Sequence, residues 1–313
     1  MKVFITGGSG WIGSRIIPLL VDNKYEVLAL SRSAKSDPII QEKGGKPIRG
    51  DIEDVEFLEN LSSQVDHVIH LAFNHDGFGK SDEYDFAKQS KISCDAVLAL
   101  SKGLSSKKSE SKLDLKQRIL INTSGTLAGS MSGFAGSGKF LNENDIFDIP
   151  MRPDHYKLIE EKGLIPIIIR LSPVVYGKGD KGFIKNLFNI SKQKGISGYP
   201  ENSKNNRWTT VHVNDAAELY LKALQLGKKG YYHGVSNTGL KIKDIAKTIG
   251  DKLNLPTEEI ENEKGVEHFG HFMNMVLGLD APASNDQTKI LTGWEPKEIG
   301  LLELLKTTDD YFV

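Results

Sequence analysis

A doubly wound α/β fold, with a parallel sheet between two helix layers and a smaller C-terminal lobe, is predicted by three observations. Apolar runs of strand length alternate with helix-length amphipathic stretches through the first half of the chain. Those runs are rich in Val, Ile and Leu, as strands buried on both faces must be. A glycine-spaced turn joins the first run to the first helix.

The elements follow in order. Residues 2–6 read as the first strand, and the apolar-faced stretch from Trp11 to Leu20 as its helix. Strands two and three fall at 26–30 and 46–49, the third ending at Gly50-Asp51, and a helix at 54–62 precedes a fourth strand at 66–72. A long helix from Glu83 to about Leu104 leads to a fifth strand at 118–123, and the β-branched run 164–171 is a sixth. The polar stretch 105–112 has nothing to bury and reads as a solvated loop. From residue 172 the character changes to helices at about 183–194, 214–227, 241–253 and 300–311, with Gly-, Asn- and Pro-rich loops and a short strand at 231–235. The expected division is therefore a dinucleotide-binding domain over 1–171 and a smaller substrate-binding lobe over 172–313, with the ligand outside the carboxyl ends of the strands.

Composition narrows the function classes. Lys and Arg total 40 against 41 Asp and Glu, so no overall field draws in nucleic acid or an anionic membrane surface. The one cysteine, Cys94, rules out a disulfide framework and suits a reducing compartment. No charged-then-apolar leader precedes the first strand, and no apolar stretch approaches the ~20 residues that span a bilayer, so a soluble cytoplasmic protein is expected.

The turn Thr6-Gly7-Gly8-Ser9-Gly10-Trp11-Ile12-Gly13 sits where a backbone can wrap a dinucleotide pyrophosphate. Gly7 permits the tight turn, Gly10 lets the main chain approach phosphate oxygens, and Gly13 lets the helix pack on the strand. Helix amides and the positive end of the dipole then face the anion, with Ser9, Trp11 and Ile12 on the same turn.

With Gly50-Asp51, His70-Leu71-Ala72, Thr123-Ser124-Gly125, the run from Arg170 to Gly177 and Val211-His212-Val213-Asn214-Asp215, this turn resembles the extended type of the short-chain dehydrogenase/reductase superfamily, a Rossmann fold shared with epimerases and dehydratases. The run from Gly177 to Phe183, Asn206-Arg207-Trp208, His268-Phe269-Gly270 and the run from Leu291 to Pro296 resemble an atypical, reductase-like subgroup found in fungi and bacteria. The resemblance implies that Gly7, Gly10 and Gly13 hold the pyrophosphate, that Asp51 and Ile52 meet the adenine, and that Leu71 and Ala72 line the nicotinamide ribose. It also allows a homodimer through the helices that follow the fourth and fifth strands. Where an acid would grip the adenosine ribose of NAD the chain has Ser31, then Arg32. With no acid to repel a 2′-phosphate and an arginine to pair with it, NADP(H) is expected over NAD(H); a solvated Arg32 is the alternative.

Active members of the superfamily use a tyrosine with a lysine four residues on, and a serine or threonine on the same substrate oxygen. Ser124 occupies the serine position. Tyr84 and Lys88 have the spacing but precede Ser124, and are set aside. Tyr156 follows at a plausible interval and is the candidate acid, yet Lys157 is adjacent to it and Glu160 stands four residues on. A neighbour one place along points about 100° away around the helix, so Lys157 cannot support the tyrosine; packing is the alternative role for Tyr156. Asn214 or Asp215 is expected to cap a helix near His212, Arg207 and Trp208 either line a pocket or form a buried pair, and His268 with His271 lack a third ligand for a metal. The glycine-rich stretch 130–138 reads as a pocket rim.

Two readings of function follow. One is an NADP(H)-dependent oxidoreductase moving hydride to or from a small carbonyl or alcohol, with Ser124 on the substrate oxygen. The other is a non-catalytic NADP-binding sensor or interaction protein, favoured by the missing Tyr/Lys pair. Nucleotide-sugar epimerisation or dehydration, which relies most on that pair, ranks third.

Overall fold

The computed structural model describes residues 1–74, 85–106, 113–134, 138–147, 153–308 and 311. The polar loop read at 105–112 and Tyr84 fall largely outside them. The chain begins β1 (Lys2–Thr6), α1 (Gly13–Asp22), β2 (Glu26–Ser31), α2 (Asp37–Glu42), β3 (Lys46–Arg49), α3 (Val55–Ser62), β4 (His67–His70), α4 (Phe86–Leu104) and β5 (Ile119–Gly125). After a single turn, α5 (Leu127–Gly129), come α6 (Tyr156–Glu161), β6 (Ile165–Leu171), β7 (Val174–Tyr176), α7 (Phe183–Lys194), β8 (Ser197–Pro200), β9 (Arg207–His212), α8 (Val213–Leu226) and β10 (Gly230–Gly234). The rest is β11 (Asn237–Lys241), α9 (Ile242–Leu253), β12 (Thr257–Ile260), α10 (Asn262–Phe269), α11 (His271–Leu277), α12 (Asp286–Thr292) and α13 (Leu301–Thr307).

Seven strands form one parallel sheet in the order β10-β6-β5-β4-β1-β2-β3. Succession reverses direction at β1, with β2 on one side and β4 on the other, and the crevice for a ligand opens beyond the carboxyl ends at that point. Alternate residues of β1 feed opposite layers: Val3 and Ile5 pack with α1 and α8, and Phe4 with α3, α4 and α6. Residues buried on both faces explain why the strand runs are continuously apolar. Helix starts obey local chemistry, since Asp54 accepts the amide of Phe57 and Asp85 that of Lys88.

The segment after residue 171 behaves differently from the sequence expectation in one respect. The strand read at 231–235 is β10, and it lies at the edge of the main sheet beside β6, with Tyr231 in register with Ile168. Helix α8 joins the same layer as α1, with Ala216, Ala217 and Tyr220 fully buried there. The chain thus leaves the main sheet at β7, returns through α8 and β10, and leaves again. A periodicity signal gives a strand its faces but not its neighbours, so the return was not legible. The lobe itself holds a three-stranded sheet, β11-β9-β7, and a two-stranded one, β12-β8, around a core that includes Trp208, Tyr176 and Ile245. No helix among the described residues is long and apolar enough to cross a membrane.

Candidate active site

The glycine turn is shaped by what a side chain would strike. Gly7 takes φ of +74°, and a β-carbon there would lie 3.0 Å from the amide nitrogen of Ala72. One on Gly13 would lie 2.2 Å from the carbonyl oxygen of Gly7, and one on Gly10 3.0 Å from the same oxygen. The Gly10 amide donates to that oxygen at 2.9 Å, which closes the turn. No side chain caps the first turn of α1 and no acidic residue stands in it. The amides of Ser14 and Arg15 already donate to Gly10 and Ile12, so the turn just ahead of α1, backed by the helix dipole, is the part that fits a pyrophosphate.

The floor beside the turn is a hydrogen-bonded column. Thr6 Oγ1 meets His70 Nδ1 at 2.8 Å and accepts the Ala72 amide at 3.2 Å, and His70 Nε2 meets Ser93 Oγ at 3.2 Å. Thr123 Oγ1 donates to the His70 carbonyl at 2.8 Å. These bonds fix Leu71 and Ala72 against Gly7, the arrangement the nicotinamide ribose was expected to meet. His70, to which the sequence assigned no role, is the buried pin of the column.

At the adenosine end, Ser31 is buried and Arg32 exposed. Two residues the sequence reading missed act here. Ser31 Oγ donates to Asp37 Oδ1 at 2.5 Å, and Arg49 pairs with Asp37 Oδ2 at 2.5 Å while also donating to the Ser31 carbonyl at 3.2 Å. Asp37 was hidden because it stands six residues past the strand end, a position with no fixed spacing rule. Arg32 has no ion-pair partner among the described residues. Asp51 is exposed and binds the Glu53 amide through Oδ1 at 3.1 Å, with Ile52 buried behind it.

The side chain of Trp11 turns away from the glycine turn. Its Nε1 donates to the Lys178 carbonyl at 3.2 Å, Arg15 donates to the same oxygen at 3.1 Å, and Arg15 also donates to the Trp11 carbonyl at 2.7 Å. Trp11 thereby ties the cofactor turn to the loop after β7.

Ser124, near the carboxyl end of β5, opens on a small pocket lined by Ser93, Cys94, Asn122, Thr123, Pro153, Asp154 and His155. Tyr156 is not among those lining residues. Its ring stacks on Tyr231 with centroids 5.1 Å apart, and its hydroxyl is held above its ordinary range by burial and by Glu160, with Lys229 opposing. Glu160 pairs with Lys229 at 2.6 Å, and Lys157 is exposed. In α6 the residue four on from Tyr156 is Glu160 and the one lysine, Lys157, is adjacent to it, so no tyrosine and lysine share a face of this helix. The residue brought to Ser124 instead is His155, which sequence reasoning passed over because no spacing rule covers an irregular loop.

Other expectations resolve cleanly. His212 itself caps α8, accepting the Asn214 amide at 3.2 Å, while Asp215 binds the amides of Lys297 and Glu298. Trp208 is fully buried and packs near Phe183, and Arg207 pairs with Asp280 at 2.8 Å. Among the described residues no group of three or more His, Cys, Asp or Glu could hold a metal ion.

Residues 3–127, which contain the glycine turn, the pinned column and Ser124, match the model of the NAD dependent epimerase/dehydratase family. The chain is 36% identical over 306 residues to an uncharacterized protein of Saccharomyces cerevisiae, covering 97% of each. It is 34% identical over 320 residues to one of Schizosaccharomyces pombe, covering 100% of each. The chain belongs to the NAD dependent epimerase/dehydratase family. This is the extended branch of the short-chain dehydrogenase/reductases, oxidoreductases built to bind a nicotinamide nucleotide. A ketoreductase of Stigmatella aurantiaca that acts on a farnesyl dihydroquinoline oxide is 22% identical over 308 residues, covering 90% of this chain and 84% of its own. A human epimerase family protein solved with NADPH superposes with a TM-score of 0.70 at 17% identity, covering 98% of each chain. For this epimerase/dehydratase-type chain, the likeness to the human structure shows the fold.

Proposed function

We propose that the protein is an NADP(H)-dependent oxidoreductase that moves hydride to or from a small carbonyl or alcohol. The observation that carries the reading is the glycine cradle after β1 with Ser124 at the carboxyl end of the same sheet, on β5 beyond β4, together with an adenosine end whose carboxylate is already paired. The cradle of Gly7, Ser9, Gly10, Ile12 and Gly13 would hold the pyrophosphate, with Leu71 and Ala72 at the ribose and Asp51 and Ile52 at the adenine. A 2′-phosphate suits Ser31 and Arg32, because Arg49 already neutralises the nearest carboxylate, Asp37. The ketoreductase relative supports a carbonyl substrate, and solved relatives of this fold hold either NAD or NADPH, so the choice of NADP(H) rests on Ser31 and Arg32.

The bound nicotinamide supplies or accepts hydride; the protein orients and polarises. The hydroxyl of Ser124, on the pocket wall, would donate to the substrate oxygen and stabilise the charge that develops there. Trp11 and Arg15 keep the cofactor turn and the lobe in one register, which fixes the distance between cofactor and substrate. The shortened helix α6 favours a second reading, in which the fold binds NADP and reports its occupancy without turnover.

The test is direct. Purified protein is mixed with NADPH and a panel of aldehydes, ketones and quinones, and loss of the reduced cofactor is followed by absorbance. Turnover on at least one carbonyl supports the reductase; tight NADPH binding with no turnover on any favours the sensor.

A further inference from the structure

The proposed reduction needs a proton at the carbonyl oxygen, and the usual donor is not at the pocket. Resting on that reading, we infer that His155 is the proton donor of this site, delivering to the substrate oxygen that Ser124 holds. His155 lines the pocket with Ser124, and Tyr156 does not.

The placement of His155 is over-determined by its surroundings. Its backbone sits in the left-handed region, with φ of 63° and ψ of 15°, directly before α6. A non-glycine residue there costs free energy and persists only where neighbours hold it. Asn122 Nδ2, from β5, donates to the Asp154 carbonyl at 2.9 Å. Asp154 Oδ1 accepts the Tyr156 amide at 3.1 Å, and Oδ2 lies 3.9 Å from the buried guanidinium of Arg170 on β6. Arg170 is in turn seated on the ring of Tyr231, its guanidinium carbon 4.0 Å from the centroid. The peptide on either side of His155 is thus tied to β5, β6 and β10 of the main sheet, which holds His155 at the pocket wall.

The chemistry balances. The carbonyl carbon takes hydride from the reduced nicotinamide as the C=O π pair moves to oxygen. That oxygen forms a bond to the proton leaving an imidazolium nitrogen of His155, and the neutral imidazole regains its proton from solvent. An imidazole is the one side chain whose ordinary titration falls between about pH 5 and 8, so it can serve without the lysine a tyrosine requires. Among the described residues, the titratable and charged groups around it include Cys94 from α4, Asp154 beside it, Tyr156 following it, and Arg170 and Tyr231 beyond Asp154.

The test compares wild type with His155→Asn, His155→Gln and Tyr156→Phe. Asparagine tolerates the left-handed backbone, so H155N separates chemistry from folding. We expect H155N and H155Q to lower kcat by about 10²–10⁴-fold while NADPH Kd, read by fluorescence, stays within about threefold of wild type. The limb of the wild-type kcat profile against pH that reports the proton donor should vanish in both, and Y156F should keep its rate and its pH profile. Independently of turnover, the His155 ring resonance in histidine-labelled protein should move on adding NADP⁺. An H155N variant with unchanged kcat, or a His155 resonance that cofactor leaves unmoved, overturns the assignment. Absence of wild-type turnover on every carbonyl overturns the reductase reading, a separate failure.

Discussion

The hydroxyl of Ser31 donates to Asp37 Oδ1 over 2.5 Å, and Arg49 holds the other oxygen of the same carboxylate. The negative charge nearest the end of β2 is thus already spent on protein partners, and Arg32 is left facing solvent. Arg32→Glu should weaken NADPH at least about tenfold while changing NADH little, because a charge-assisted pair is worth about 1.5–3 kcal/mol. Ser31→Asp alone would set two carboxylates together; Ser31→Asp with Asp37→Asn should instead shift preference to NADH. Calorimetric titration of both coenzymes checks each, and equal losses for NADH and NADPH in Arg32→Glu would remove Arg32 from the site.

Gly13→Ala puts a methyl carbon 2.2 Å from the Gly7 carbonyl oxygen, backbone that cannot step aside without opening the turn. The expected result is a stability loss of at least about 1–3 kcal/mol, the usual cost of overpacking, and NADPH binding weakened by more than about tenfold. Thermal unfolding with and without NADPH reads both; an unchanged melting temperature and Kd would show that the turn relaxes freely.

Ser124→Ala should lower kcat by about 10²-fold, the lower end for loss of one donor to a developing oxyanion, with cofactor affinity unchanged. Steady-state kinetics beside NADPH fluorescence decides, and a parallel rise in NADPH Kd would place Ser124 in cofactor binding instead.

Stability should fall on acidification below about pH 6.5 through two buried histidines. Burial pushes His67 down from 6.5 to about 4 and His233 to about 3. His67 is held neutral by accepting the Ile119 amide through Nδ1, whereas His233 donates Nδ1–H to the Ser284 carbonyl at 2.8 Å and is held neutral by burial and by Arg170 against that bond. A depressed folded pKa means that the unfolded chain binds the proton first, and stability drops progressively between pH 6.5 and 4, by about 3 kcal/mol for His67. Asp180, raised to about 6 by burial despite the hydrogen bonds it accepts from the Gly182 amide and the Tyr311 hydroxyl, works in the opposite sense, losing stability as pH rises from about 4 to 6. Denaturant midpoints across this range should therefore show a shallower slope in His67→Gln and a steeper one in Asp180→Asn. A wild-type midpoint that is flat from pH 7 to 4 would contradict the account.

The cofactor half of the site was legible in the residues because its requirements are local. Gly7, Gly10 and Gly13 each answer a backbone demand within one turn, and the apolar runs around them declare buried strands without reference to the rest of the chain. Thr6 and His70 end two neighbouring strands, β1 and β4, but their partnership spans 64 residues, and no spacing in the sequence encodes it. Tyr156 drew attention as a residue type, yet its ring answers to Tyr231, whose strand was expected in the lobe rather than beside β6.

The sequence by itself determined the fold class, the nucleotide-binding turn and the absence of an acid at residue 31, since helix and strand periodicity and glycine stereochemistry act over a few residues. Only the tertiary structure decided that β10 closes the main sheet, that Asp37 and Arg49 neutralise each other beside Ser31, and that His155 rather than Tyr156 lines the pocket of Ser124. Those outcomes depend on which distant side chains the packing of α6, β5 and β10 makes neighbours, and such pairings leave no trace in the order of the chain.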